Sequence, residues 1–300
     1  MPELPEVEAI RLSLAPHIAE LQLTAMEVYR PELIQCGQGL EPASLIGRWP
    51  AAFYRRGKYL LLLMRDYPAP LDADQSEIDD GWAAMLTAAQ DSDLLLTMHF
   101  RMTGRLAIFE QMDAYTHLLF ELTAEDGSLT KLAWHDVRRF GRLQLLTAGQ
   151  GHQLQTGVAS LGPEPFSPAL DAAYLMAQSV RHRRLNLAAF LLNQTIVAGL
   201  GTIYVSESLF AAGLSPARLS SELNSTDWER WLAVIHPLLN EAITQRGTTF
   251  SDYRDGDNQP GGFQELLNIY GRKTCSVCGH ALERVSSGGR QVAFCPHCQT

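Results

Sequence analysis

The 300-residue chain carries 24 Lys plus Arg against 33 Asp plus Glu, a net charge of −9 that argues against a uniformly basic nucleic-acid binder. With 46% hydrophobic and only 19% charged residues, disorder is excluded as the dominant state, and the length suggests about two domains. The longest apolar runs, such as residues 59–64, fall far short of the roughly 18 residues a membrane helix needs. The start Met-Pro-Glu-Leu-Pro-Glu has no basic leader followed by an apolar stretch, so the expectation is a soluble, cytoplasmic protein with no membrane partner.

In chain order, Val7, Ile10 and Leu14 recur at helical spacing over residues 5–15, with Glu3, Glu6 and Glu8 where a helix dipole favours negative charge. Strands are expected at 26–29, 59–64, 94–100, 106–109, 117–122, 129–134 and 142–146, separated by turns such as Glu125-Asp-Gly-Ser128. Between residues 65 and 94 the pattern breaks into Asp-, Pro- and Ala-rich sequence, which reads as an excursion between two strands: a mobile loop, or a small helix near 82–89. Residues 149–168, with Leu161-Gly-Pro-Glu-Pro165, have the turn chemistry of a linker. Helical periodicity follows, through Leu187, Phe190, Leu191 and Gln194, then 203–211, then Trp228, Trp231, Ile235, Leu238 and Leu239. No internal repeat is evident.

Four of the five cysteines lie in the last 26 residues, as Cys275-Ser-Val-Cys278 and Cys295-Pro-His-Cys298. Two C-x2-C pairs at this separation match a tetrahedral zinc site, each pair wrapping the metal from one knuckle. Ser286-Ser-Gly-Gly289 can reverse the chain between them, leaving Arg290 beside the turn of a hairpin. Four thiolates leave no open position, so the one zinc ion holds a finger and performs no chemistry. His280 and His297 are able in principle to replace a cysteine, though four thiolates satisfy zinc without them. Cys36 stands alone and reads as a small hydrophobe.

Pro2 follows a cleavable Met1, whose removal leaves a secondary amine able to attack an electrophilic sugar carbon and form an iminium. Taken alone, this is weak. Together, Met1-Pro-Glu-Leu-Pro-Glu-Val-Glu8, Arg55-Arg-Gly-Lys-Tyr-Leu60, Met102-Thr-Gly104, Arg138-Arg-Phe-Gly141, Leu161-Gly-Pro-Glu-Pro165, Ala198-Gly-Leu-Gly-Thr-Ile-Tyr-Val-Ser-Glu207 and Tyr270-Gly-Arg272 resemble the formamidopyrimidine-DNA glycosylase family, in order and over nearly the whole chain.

The resemblance implies an α+β fold in two lobes: an N-terminal β-sandwich with flanking helices, then a helical helix-two-turn-helix module and a β-hairpin zinc finger, with DNA in the cleft between lobes. The boundaries read as 1–150 for the catalytic domain with an acidic insertion at 66–93, 151–168 for the linker, 169–268 for the helical domain and 269–300 for the finger. It implies a base-excision-repair glycosylase and AP lyase that removes oxidised purines, acting as a monomer on duplex DNA with oxidised bases or abasic sites, with no redox or organic cofactor.

Residue by residue, it makes Pro2 the nucleophile toward C1′, Glu3 the acid/base group, Glu6 a supporting carboxylate, Lys58 a phosphate-holding ammonium that assists β-elimination, and Arg290 a phosphate grip linked to δ-elimination. Met102, Arg138 and Phe140 match residues that fill the gap left by a flipped nucleotide. Tyr115, Arg183 and Thr202 are further DNA-binding candidates, within three basic groups at 138–142, 181–184 and 272–290.

The chain departs from the family pattern at Thr202, where the family usually has Asn, and at Ala188, where many members have Lys. Tyr115-Thr116 replaces His-Asp, and Phe100-Arg101 replaces Leu-Gly. Alternatives are a glycosylase for oxidised pyrimidines, a lesion-binding protein without turnover, and a zinc-ribbon binding protein. Residues 66–93 hold eight acids and no Lys or Arg, leaving 24 basic and 25 acidic residues elsewhere. The acidity belongs to one segment, which is expected to lie away from the DNA.

Overall fold

A computed structural model describes residues 1–73, 81–151 and 157–300, excluding the side chains of 150 and 151. These residues form two compact units, residues 1–159 with 246–261, and residues 160–245 with 262–300. The contiguous 169–268 span expected from sequence is thus interrupted, because 246–261 packs with the first unit. Asn258 donates to the Ile108 carbonyl at 2.9 Å, and Gly256 N to the Ser13 hydroxyl at 2.8 Å.

The first unit opens with α1 (Leu4–Ile18), then β1 (Gln22–Val28), β2 (Ile34–Cys36), β3 (Trp49–Arg56), β4 (Tyr59–Arg65), α2 (Gly81–Ala88), β5 (Leu94–His99), β6 (Gly104–Ile108), β7 (Thr116–Thr123), β8 (Leu129–Asp136), β9 (Arg142–Thr147) and the helical turn α3 (Ala148–Gly151). The strands make a four-stranded sheet, β1-β7-β8-β6, and a five-stranded sheet, β2-β9-β5-β4-β3, antiparallel except where β2 runs parallel to β9. Their inner faces share one core with α1: Val7, Ile10 and Leu14 meet Phe53, Phe120 and Trp134. This is the expected sandwich.

The five-stranded sheet is buried on both faces. Successive side chains of a strand alternate sides. Leu60 and Met64 of β4 therefore enter the sandwich core, while Leu61 and Leu63 enter a second one with Met85 and Leu86 of α2. The described flanks of the 66–93 excursion are thus structural, and the helix near Trp82 is present as α2. Residues 74–80, including Asp74, Glu77, Asp79 and Asp80, lie outside the described residues.

In the second unit, α4 (Ala172–Arg181), α5 (Leu187–Leu192), α6 (Thr202–Ala211) and α7 (Ser225–Thr244) precede the hairpin of β10 (Glu283–Ser287) and β11 (Arg290–Phe294). Asp171, Asn186 and Asn224 cap α4, α5 and α7 by accepting backbone N–H bonds of 2.7–3.0 Å. Aromatic packing of Phe190, Trp228 and Trp231 fills the helical core. The hairpin turn is Gly288-Gly289, with φ of 55° and 77°, conformations that side chains resist. The finger is seated on α6: Ala293 N donates to Ser206 Oγ at 3.2 Å, and the buried Glu207 carboxylate accepts the N–H groups of Asn268, Ile269 and Tyr270 at 2.7–3.0 Å.

Candidate active site and nucleic-acid interface

Pro2 is buried immediately before α1, and Glu3 is that helix's N-cap. The Glu3 and Glu6 side chains form a reciprocal capping box, in which Glu3 N donates to Glu6 Oε2 at 2.8 Å. Both carboxylates are almost inaccessible, at 2% and 1% exposure. Burial of this kind is tolerable only with hydrogen-bond donors. Glu6 finds its second donor in Thr248 N, at 2.8 Å. Gly247, at φ 80°, makes that approach possible, since a Cβ there would fall 2.8 Å from Glu6 Cγ. Tyr253, half-buried, donates from its hydroxyl to the Glu6 carbonyl at 3.1 Å. Burial, then the Glu6 and Asp255 charges, push its phenol well above the usual range.

Lys58 occupies the two-residue turn between β3 and β4, where Gly57 has φ 57° in the first central position, as a type II′ hairpin turn requires. The turn is linked to α1. Glu8 binds Arg11 Nη2 at 2.7 Å and Arg55 Nε at 3.1 Å, and Arg55 Nη1 reaches the Gly57 carbonyl at 3.2 Å. Glu8 and Arg55 thus connect the N-terminal helix to the Lys58 turn. From sequence, Glu8 reads only as a capping charge.

His99, opposite Tyr59 in the β4–β5 register, is a neighbour that sequence reasoning missed. Burial, then the Arg101 and Lys58 charges, lower its pKa to about 3, so the ring is neutral. Its Nδ1 accepts from Arg101 N at 3.0 Å, which places the proton on Nε2. The residue type alone gave no signal; adjacency to Lys58 in the sheet register would have found it.

Met102, Arg138 and Phe140 lie on two loops of the first unit, at 100–103 and 137–141. Met102 and Phe140 are 40% and 47% exposed, and the Arg138 guanidinium lies 4.7 Å from the Phe140 ring centroid. Fully buried Asp136 organises both loops. Its Oδ1 accepts from Thr103 Oγ1 at 2.6 Å and from Arg138 N at 3.2 Å, and its Oδ2 from Gly141 N at 2.7 Å. Arg101 and Arg139 hold left-handed φ of 55° and 58° in these loops, a cost the surrounding bonds offset.

Tyr115 is exposed on a separate loop. Asp113 accepts from Tyr115 N at 2.8 Å and pairs with His135 at 2.8 Å, and the Tyr115 ring meets His135 edge-on. Burial alone would raise the Asp113 pKa; hydrogen bonds from His135, Tyr115 and Thr116 outweigh it and lower the pKa.

In the second unit, Arg183 is exposed after α4, and Thr202 opens α6 behind Gly201, which supplies no side-chain cap. Gln194 shapes the preceding loop, donating to the Leu200 carbonyl at 2.8 Å and accepting from Gly199 N at 3.0 Å. Ala188 is fully buried, so its departure from Lys alters a packed position rather than an exposed one. Arg290 is exposed at the start of β11, beside the glycine turn.

The four finger thiols converge, with all Sγ atoms within 4.8 Å of one another. Cys275 and Cys298 are 3.9 Å apart, and Cys278 and Cys295 3.4 Å. A tetrahedral ion with Zn–S bonds of about 2.3 Å sets its sulfurs roughly 3.8 Å apart. The cluster therefore fits one zinc, with every coordination position taken by protein. His280 and His297 stack beside it, ring centroids 4.5 Å apart.

Comparison with known proteins finds matches along the whole chain. Residues 1–143 match the formamidopyrimidine-DNA glycosylase N-terminal domain, 161–254 the corresponding H2TH domain, and 272–300 the zinc finger found in FPG and IleRS. Formamidopyrimidine-DNA glycosylases of Desulfitobacterium hafniense and Moorella thermoacetica are 36% and 38% identical, over 100% of both chains for the first and 95% of this chain and 94% of the relative for the second. The crystal structure of the MutM (FPG) protein from Thermus thermophilus superposes with a TM-score of 0.79 at 32% identity, covering 99% of this chain and 98% of that one. A Lactococcus lactis Fpg complex with abasic-site DNA superposes equally well, at TM-score 0.79 and 27% identity over 99% of each chain. Among the described residues, no helix is long and apolar enough to cross a membrane.

Proposed function

Because the chain belongs to the formamidopyrimidine-DNA glycosylase family, we propose that it excises oxidised purines from duplex DNA and cleaves the strand at the resulting abasic site. The reading is carried by one observation: Pro2 abuts two buried carboxylates, Glu3 and Glu6, on the first turn of α1.

With Met1 attached, the Pro2 nitrogen is an amide; with Met1 removed, it is a secondary amine. That amine attacks C1′ as the glycosidic bond breaks, and the departing base carries away the bond's electron pair and takes up a proton. Glu3 supplies protons for base loss and ring opening. The iminium acidifies the C2′ proton, so the 3′ phosphate leaves by β-elimination, with Lys58 holding a flanking phosphate. Arg290 grips a phosphate and promotes the second elimination.

Met102 and Phe140 occupy the emptied base stack while Arg138 bonds the orphaned base. Tyr115, Arg183 and Thr202 contribute backbone contacts, Thr202 with a shorter reach than the usual Asn. Both units carry such residues, in the domain order 1–150, 151–168, 169–268 and 269–300, with 246–261 serving the first. Zinc, when bound, holds the finger that presents Arg290. Since every function here is performed on DNA, the site of action is the cytoplasm or nucleoid.

Borohydride trapping tests the mechanism. Wild type forms a covalent adduct with abasic or 8-oxoguanine duplex, and Pro2→Gly, which replaces the secondary amine with a primary one free of the ring, forms much less; an equal adduct from Pro2→Gly refutes the assignment. One Lactococcus lactis FPG complex holds DNA with an oxidised pyrimidine. An excision panel with both lesion classes therefore ranks the purine reading against the pyrimidine one.

A further inference from the structure

The 66–93 segment has no part in the proposed chemistry, yet its described flanks are bonded to the elements that carry it. Asp72 forms an isolated parallel bridge with β3: Phe53 N donates to the Asp72 carbonyl at 2.8 Å, and Asp72 N to the Ala51 carbonyl at 2.9 Å. The Tyr54 hydroxyl donates to Asp72 Oδ2 at 2.6 Å, and Arg11 Nη1 of α1 reaches the Ala73 carbonyl at 2.7 Å. At the far side, α2 starts against the sheet so tightly that a Cβ on Gly81 would lie 2.4 Å from a Tyr54 ring carbon. Helix α2 is therefore held on the outer face of β3, and its second residue is Trp82.

The Arg56 guanidinium carbon lies 5.5 Å from the Trp82 ring centroid. Arg56 is buried, is the last residue of β3, and stands two residues before Lys58. We propose that Trp82 is a positioning residue: its indole face holds Arg56, and through Arg56 fixes the turn that presents Lys58. The inference rests on the reading of Lys58 given above.

Alternation along β3 makes the mechanism specific. Phe53 and Arg55 face the sandwich interior, where Arg55 joins Glu8 to the Gly57 carbonyl. Tyr54 faces the outer core, and Arg56 reaches Trp82 on that same side. The Gly57-Lys58 turn is thus gripped from both faces of one ribbon, from inside by a salt bridge and from outside by a ring. A buried guanidinium is costly without compensation, and an aromatic face offsets part of that cost. The Trp82 Nε1 atom is buried and has no hydrogen-bond partner among the described residues, so the indole N–H contributes nothing there. The ring face is what matters, and phenylalanine can supply it.

The experiment uses the full-length, zinc-loaded protein with Met1 removed. Single-turnover borohydride trapping on abasic duplex is compared for wild type, Trp82→Phe, Trp82→Leu, Lys58→Ala and the Trp82→Leu/Lys58→Ala double variant. Leu keeps the apolar packing of α2 but has no ring face. Trp82→Leu should slow trapping about three- to tenfold, the range of one partly buried cation–π contact, while Trp82→Phe stays within about twofold. In the Lys58→Ala background, Trp82→Leu should add no further loss, because both act through one ammonium. Equal rates for Trp82→Leu and wild type, failure of Phe to rescue, or full additivity with Lys58→Ala overturns the proposal. Failure of the underlying reading looks different: no adduct from wild type, or an unaltered rate in Lys58→Ala, removes the role of Lys58 itself and with it the inference.

Discussion

Thr103 Oγ1 lies 2.6 Å from Asp136 Oδ1, so the two loops that carry Met102 and Arg138-Phe140 are one hydrogen-bonded unit. On the proposed reading these side chains fill the gap left by a flipped nucleotide, and the Asp136 carboxylate fixes the two loops that carry them relative to each other. Asp136→Asn presents an amide donor to groups that already donate, and should cost about 1–3 kcal/mol of stability. Thr103 Oγ1 also accepts from Arg138 N at 3.0 Å; Thr103→Val removes that bond but leaves Arg138 N the Asp136 carboxylate, and should cost less, about 1 kcal/mol. Urea denaturation orders the two, and abasic-duplex affinity should fall in the same order.

His99 predicts an acid sensitivity with a definite sign. The folded pKa is about 3, against an ordinary histidine value of 6.5, so the fold binds the neutral ring. The stabilisation is complete above pH 6.5 and is lost as pH falls from 6.5 toward 3, because the unfolded chain takes up a proton first. At pH 5 the loss from this one group is about 2 kcal/mol relative to neutral pH. Thermal melting at pH 7 and pH 5 should show a smaller pH-dependent loss in His99→Gln than in wild type.

Removing the metal should separate the two units' behaviour. One zinc per chain is expected by elemental analysis, and a strong chelator should release it with collapse of the β10–β11 hairpin. Arg290 then loses its support, and duplex binding should fall at least tenfold, whereas the far-ultraviolet strand signal of the first unit persists. Cys298→Ser should reproduce the defect without chelator.

The acidic segment offers a charge test. Asp72 binds Tyr54, and Asp93 is buried against Arg65 at 3.2 Å, so both are structural. Changing the other six acids, Asp66, Asp74, Glu77, Asp79, Asp80 and Asp91, to their amides should leave duplex affinity at low salt within about twofold if the segment lies away from the phosphates. A tenfold tightening would place it beside the DNA.

What the sequence made legible follows from how local each signal is. The cysteine spacing and the Gly288-Gly289 turn are local, and the finger was readable in full. Alternation marked most of the sandwich, but β3 escaped because Ala51, Ala52, Phe53 and Tyr54 are buried on both faces and so show no alternation. Strand β2 is only three residues long, and α4 has just two buried positions to trace a face. Pro2, Glu3 and Glu6 were visible as a motif; Thr248, Tyr253, His99 and Asp136 were not, since each acquires its meaning only from partners brought near by the fold.

Glu6 obtains its second hydrogen-bond donor from a residue 242 positions later. At translation rates of roughly 5–20 residues per second, the N-terminus waits on the order of 10–50 s for that partner to be synthesised. Throughout that interval Glu6 lacks its Thr248 donor, so the buried carboxylates at the start of α1 stand one hydrogen bond short of their folded state. Synthesis order thereby makes the first turn of α1 one of the last parts of the fold to be completed, because the backbone donor that Glu6 needs exists only once most of the protein has been made.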